Sequence, residues 1–183
     1  MKKAIIASLV ALTSGVAITA FALRGPDKLV DLRVNAEPQE YSVTFNASNT
    51  SCTLVEIYEE EYIAFTTTTD NGNKVGVVGC HIGEESFTFN DIPFRDLWLC
   101  DYDDVLEGRA YQFSTITGFA ISYSSKEPEE PVFMDFTSMG KNIHDVKSGT
   151  PYTELSITRD HGPMFRLMEG SVTVTSLTIW YSC

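Results

Sequence analysis

Apolar residues recur at every second position along most of this chain, and that period decides the fold class before any other feature does. Tyr41, Val43 and Phe45 alternate with Ser42, Thr44 and Asn46; Phe87 and Phe89 alternate with Ser86, Thr88 and Asn90. Phe119, Ile121 and Tyr123 alternate with Ala120, Ser122 and Ser124, Leu155 and Ile157 with Ser156 and Thr158, and Phe165 and Leu167 flank Arg166. A strand sends successive side chains to opposite faces, so each run is a strand with one face in a core. Turn-forming clusters separate the runs: Asp70-Asn71-Gly72-Asn73, Gly83-Glu84-Glu85, Asn90-Asp91-Ile92-Pro93, Lys126-Glu127-Pro128, Gly140-Lys141-Asn142 and His161-Gly162-Pro163. Short strands at this spacing predict an all-β fold, a two-sheet antiparallel β-sandwich. Residues 52–65 also admit helical spacing through Leu54, Ile57, Tyr58 and Tyr62, but Ile63, Phe65 and the threonines that follow favour strand.

The last run carries one irregularity. Val172 and Val174 share one parity, whereas Leu177, Ile179 and Tyr181 share the other. The register therefore slips by one residue near Thr175-Ser176, as at a β-bulge or a change of sheet. After the slip Trp180 falls with Thr178 and Ser182 on the outer face, an aromatic among small polar neighbours.

Residues 1–36 read as an export segment or anchor with a short linker, and residues 37–183 as one β-sandwich domain. Lys2 and Lys3 precede an uncharged stretch from Ala4 to Leu23, expected to be a hydrophobic export helix. Cleavage after Ala22 or after Ala36 fits the small-residue rule. The run is also about as long as a bilayer-spanning helix, so a retained anchor is the competing reading. Either way the domain is expected outside the cytoplasm, extracellular or at the cell surface, and it meets a membrane only through this segment if uncleaved.

Without residues 1–36 the net charge falls from −12 to −15, because that segment holds five cations (Lys2, Lys3, Arg24, Lys28, Arg33) and two acids (Asp27, Asp31). So acidic a domain excludes nucleic acid held through phosphates and is repelled by anionic lipid. In an oxidising compartment Cys52, Cys80, Cys100 and Cys183 predict two disulfides. Cys80–Cys100 is favoured because both residues end apolar strands, which leaves Cys52–Cys183 to tie the start of the fold to its end. The longer loop would contribute about 4 kcal/mol by restricting the unfolded chain.

The opening strand Tyr41-Ser42-Val43-Thr44-Phe45-Asn46, the leader and the closing run from Val174 through Trp180 to Cys183 resemble small secreted proteins of low-GC Gram-positive bacteria. Those are similar in turn to jelly-roll carbohydrate-binding modules of the galactose-binding-like type. The resemblance covers residues 40–183 as architecture; it implies a jelly-roll-like sandwich and suggests sugar, without assigning a ligand residue.

Three groups of residues are candidates for function. Trp98 lies between Leu97 and Leu99 on the opposite parity, with Tyr102 following in the same parity. With Trp180 these form a candidate platform for sugar rings, which stack their C–H faces on aromatic rings. The alternative is that Trp98 fills the second sheet's packing face and Trp180 is covered by a loop. Asp101, Asp103 and Asp104, with Glu107 beyond them, offer carboxylate oxygens to a structural Ca2+, although the spacing is not that of an EF-hand and a solvated turn explains them as well. His81, His144 and His161 share no motif, and no G-x-S-x-G, H-E-x-x-H or glycine-rich phosphate loop occurs. A non-catalytic surface domain binding extracellular glycan is expected, with an adhesin-like or structural protein that meets a cell-surface protein as the alternative, and a small glycan-cleaving enzyme third.

Overall fold

A computed structural model describes residues 39–57, 59–72, 74–99, 113, 115–158 and 162–182, all of which belong to the compact unit Ala36–Cys183. The export segment lies outside the described residues. Among the described residues thirteen strands are present in order: β1 (Glu40–Asn46), β2 (Ser51–Ile57), β3 (Glu60–Thr68), β4 (Lys74–Cys80), β5 (Phe87–Phe89), β6 (Ile92–Phe94), β7 (Asp96–Trp98), β8 (Thr115–Ser125), β9 (Phe133–Ser138), β10 (Lys141–Ile143), β11 (Ile157–Thr158), β12 (Met164–Glu169) and β13 (Val172–Ser182). No helix occurs among the described residues. Residues 51–57 and 60–68 form the hairpin β2–β3, so the ambiguous stretch is strand.

The strands form two sheets. The first runs β11-β8-β13-β5-β6, with β1 also on β13; the second runs β10-β9-β12-β7-β4-β3-β2. All pairings are antiparallel except one, β13 with β5. That exception has a simple geometric origin. β1 covers β13 only from Ser176 to Ser182, which leaves its N-terminal end open to β5, entering from the second sheet.

Alternation dictates the core. Val43, Phe45, Phe89, Phe94, Phe119, Leu177 and Ile179 of the first sheet face Ile63, Phe65, Val77, Leu97, Phe136 and Phe165 of the second, and all are buried. Phenylalanines interlock across the gap: Phe65 lies 4.9 Å from Phe89, and Phe119 lies 4.5 Å from Phe136 and 4.9 Å from Phe165, edge-on to the latter. Offset and edge-to-face contacts of this kind suit the ring quadrupole. The turns follow their residues. Gly72 takes φ 85 between β3 and β4, and Asn90 and Asp91 both take positive φ (49 and 63) in the two-residue loop joining β5 to β6. Two successive residues of positive φ match the twist of tight hairpins.

The slip expected at Thr175-Ser176 is a bulge in β13: Val174 pairs with Tyr123 and Ser176 with Ser122, leaving Thr175 extra. Thr175 Oγ1 donates to the Ser122 carbonyl at 3.1 Å. A second bulge was not anticipated. Trp180 pairs with Gly118 but Tyr181 with Ile116, so Thr117 is the extra residue in β8. Leu155, expected to alternate within a strand, instead precedes β11, and its N–H donates to the Thr117 carbonyl at 2.9 Å.

Candidate functional site

The bulge at Thr117 builds a cleft on the outer face of the first sheet. Leu177, Ile179 and Tyr181 point inward and are buried, so Trp180 points outward, where it is half-buried. Ser42 of β1 lies across from it on one side and Gly118 of β8 on the other. Gly118 is required here. A Cβ on it would stand 2.6 Å from the Tyr152 carbonyl oxygen and 3.1 Å from Trp180 Cε3. The missing side chain lets the indole lie against the sheet and lets residues 152–155 close alongside β8. Tyr152 and Phe119 exchange two backbone hydrogen bonds, at 2.9 and 2.8 Å, to hold that segment.

The resulting cleft, about 350 Å³, is lined by Glu40, Thr117, Thr153, Glu154, Leu155 and Trp180. Glu154 holds its rim in a left-handed backbone conformation, φ 58, which costs a residue with a Cβ on the order of 1–3 kcal/mol. Hydroxyls surround the ring on the sheet: Ser42, Thr44, Thr178 and Ser182 share its outward parity, and Thr44 and Thr178 hydrogen-bond to each other at 2.9 Å. Glu40 also lines a neighbouring hollow of about 410 Å³ with Tyr41, Ser42, Thr69, Asp70, Asn71 and Tyr181, so the two openings share this residue. An aromatic wall, two carboxylates and several hydroxyls can stack a sugar ring and accept or donate hydrogen bonds to its hydroxyl groups.

The outer face of the second sheet is organised differently. Register aligns Tyr62, Cys80, Asp96, Arg166 and Asp135, one from each of β3, β4, β7, β12 and β9. His144, just after β10, extends the row: its Nδ1 lies 2.9 Å from Asp135 Oδ2. Asp96 is the fixed point, only 1% exposed. Arg95 Nε donates to its Oδ2 at 3.0 Å and Arg166 Nε to its Oδ1 at 3.1 Å, so a buried carboxylate is paired on both oxygens. The Asp145 backbone N–H donates to Asp135 Oδ1 at 3.1 Å, fixing the second carboxylate too. Next to this row runs an apolar one, Ala64, Val78, Trp98 and Met164, ending in Thr137. Ala64 and Val78 are buried; Trp98, Met164 and Thr137 are half-buried. Trp98 therefore stands where the covered part of this face meets its open part.

The two tryptophans predicted to share a platform do not meet. Both point outward, as their parity predicted, but Trp98 belongs to the second sheet and Trp180 to the first. They face opposite sides of the sandwich, roughly 20 Å apart, given sheets packed at about 10 Å with side chains projecting from each. Tyr102, the third member, lies outside the described residues, as do Asp101, Asp103 and Asp104 of the proposed Ca2+ loop. Among the described residues no three acidic, His or Cys side chains gather to hold a metal ion.

No disulfide is seen among the described residues, and both proposed bonds involve Cys100 or Cys183, outside them. Cys80 ends β4 opposite Asp96 of the antiparallel neighbour β7, and its proposed partner Cys100 lies outside the described residues. Cys52 is opposite Phe65 on β2, and β3 separates it from Cys80 on β4, which rules out a Cys52–Cys80 bond.

Sequence reasoning missed Glu40, Thr117, Gly118, Thr153 and Glu154. One signal was present: a glycine inside a strand pattern marks a bulge or a close backbone approach. It also missed the Asp96–Arg166–Asp135–His144 row, whose members adjoin only through strand register. No protein-family model, curated protein or solved structure matches the chain.

Proposed function

We propose that this is an exported, non-catalytic surface domain that binds extracellular carbohydrate in the Trp180 cleft. The observation that carries the reading is an outward indole seated on Gly118 in a cleft with Glu40 and Glu154, amid a field of hydroxyls. An aromatic ring beside polar groups is what a pyranose needs, since each sugar offers an apolar C–H face and an equatorial rim of hydroxyls. The adjoining hollow beyond Glu40 favours an oligosaccharide over a single ring. A jelly-roll-like arrangement is the finer fold reading. It is supported by the pairing of β1 with β13 and by a chain that crosses from sheet to sheet at each connection from β10 to β13. The leader supports export to the extracellular space or the cell surface.

A protein partner is the second reading, favoured by one feature. Among the described residues β2 is a seven-residue edge strand, with Leu54 66% exposed, and an edge of this kind accepts a strand from another chain.

The test is affinity electrophoresis of residues 37–183 through gels containing xylan, mixed-linkage β-glucan or galactan. Retardation by at least one is expected, and Trp180→Ala should remove it. Because Trp180 is half-buried, the substitution should cost about 1 kcal/mol of stability, well under the 3–5 kcal/mol of a core aromatic. Retention of full binding by a folded Trp180→Ala protein would sink the proposal.

A further inference from the structure

The Trp98 face of the second sheet has the same elements as the cleft and points the opposite way. An indole at the border of the open area has Met164 and Thr137 in its own row, while Arg166, Asp135 and His144 stand in the next. Asp96 and the Asp145 N–H hold Arg166 and Asp135 in place, so the polar groups are ordered before any ligand arrives. Preorganised polar groups beside an aromatic ring reduce the ordering cost of binding. Arg166, half exposed beyond its bond to Asp96, supplies a cationic donor that the acid-lined cleft lacks. Although the domain as a whole is acidic, the local guanidinium of Arg166 lets this face pair with a carboxylate of a glycan, whereas Glu40 and Glu154 suit a neutral one.

We infer that the domain is bivalent: a second glycan site, centred on Trp98 with Arg166, Asp135 and His144, accepts an acidic saccharide while the Trp180 cleft holds a neutral one. This rests on the carbohydrate reading of the cleft. Two sites on opposite outer faces cannot engage neighbouring rings of one short glycan. They join separate chains, and the domain acts as a cross-link between an acidic and a neutral polysaccharide. Such joining raises apparent affinity for a dense surface by about 10²–10⁴-fold without further contacts.

The experiment uses residues 37–183 with polygalacturonate as the acidic probe and the neutral polysaccharide that retards the protein most. Calorimetry should show that saturating one probe leaves the other's binding unchanged, and polygalacturonate-coated beads should clump in the neutral polysaccharide only when protein is present. Trp98→Ala should abolish polygalacturonate binding and clumping while leaving neutral binding intact. Thr137→Glu, which puts a like charge on the open face and keeps the ring, serves as the second variant should Trp98→Ala not fold, and should weaken polygalacturonate binding at least tenfold. Trp180→Ala should do the reverse. Competition between the probes, or polygalacturonate binding unchanged in Thr137→Glu, overturns bivalency and leaves the cleft reading standing. Failure to bind any neutral probe, with polygalacturonate bound, removes the cleft reading and bivalency together but keeps the second site.

Discussion

The two outer faces of the sandwich are made by different means. On the first sheet a bulge and a glycine open a cleft, and the side chains lining it, Glu40, Thr153 and Glu154, are exposed. On the second sheet no bulge interrupts β4, β7 or the paired part of β12 through Leu167, and side chains from successive strands tie one another down. The cleft gets its shape from backbone irregularity; the flat face gets its order from ion pairs across regular strands. A regular sheet brings polar side chains into rows, but it makes no hollow without an extra residue.

The comparison breaks most completely where the two faces share a support. Phe119 follows Gly118 in β8, beneath the cleft, and its ring packs on Phe136, Phe165 and Tyr152. Phe136 and Phe165 are the inward neighbours of Asp135 and Arg166 on the other face. Phe119→Ala should therefore cost about 3–5 kcal/mol in urea unfolding and damage both faces, as large-to-small core changes do. A loss below about 1 kcal/mol would show that the sheets are not locked together through this ring.

Asp96→Ala should separate the faces. Removing a buried carboxylate leaves Arg95 and Arg166 without their shared partner, but both guanidiniums are about half exposed and can be rehydrated. The expected cost is about 2 kcal/mol, nearer to a charged hydrogen bond than to a fully buried ion pair. Neutral glycan binding in the cleft should not change. Equal loss of binding at both sites would mean that the faces are coupled through the core.

Much of this architecture was legible from alternation. The all-β class, the inward residues of the alternating runs and the slip at Thr175 follow from period two, because one face of each strand must be buried. Outwardness of Trp98 and Trp180 was legible for the same reason. Which sheet each belongs to was not, since parity is local and sheet membership depends on pairings between residues far apart in sequence. The row from Tyr62 to His144 was hidden for that reason as well: its members come from six separate segments. The bulge at Thr117 escaped because Phe119, Ile121 and Tyr123 keep clean parity after it, and only Gly118 betrays the irregularity.

The smallest expected effect tests whether the cleft rim is held in place for function. Glu154 sits at φ 58 without the freedom of glycine. If the surrounding hydrogen bonds impose that conformation, Glu154→Gly should relieve it. Glycine's larger entropy loss on folding offsets part of the gain, leaving a net stabilisation of about 0.5 kcal/mol. The same change deletes a cleft carboxylate, so neutral glycan binding should weaken about tenfold, the value of one charge-assisted hydrogen bond. Glu154→Gln separates the two contributions, since it keeps the backbone constraint and removes only the charge: stability should stay near that of the parent while binding weakens. A Glu154→Gly protein that is less stable than the parent would show that the left-handed turn needs the glutamate side chain. Unchanged binding in both variants would take Glu154 out of the site and leave Trp180, Glu40 and the hydroxyl field to hold the sugar.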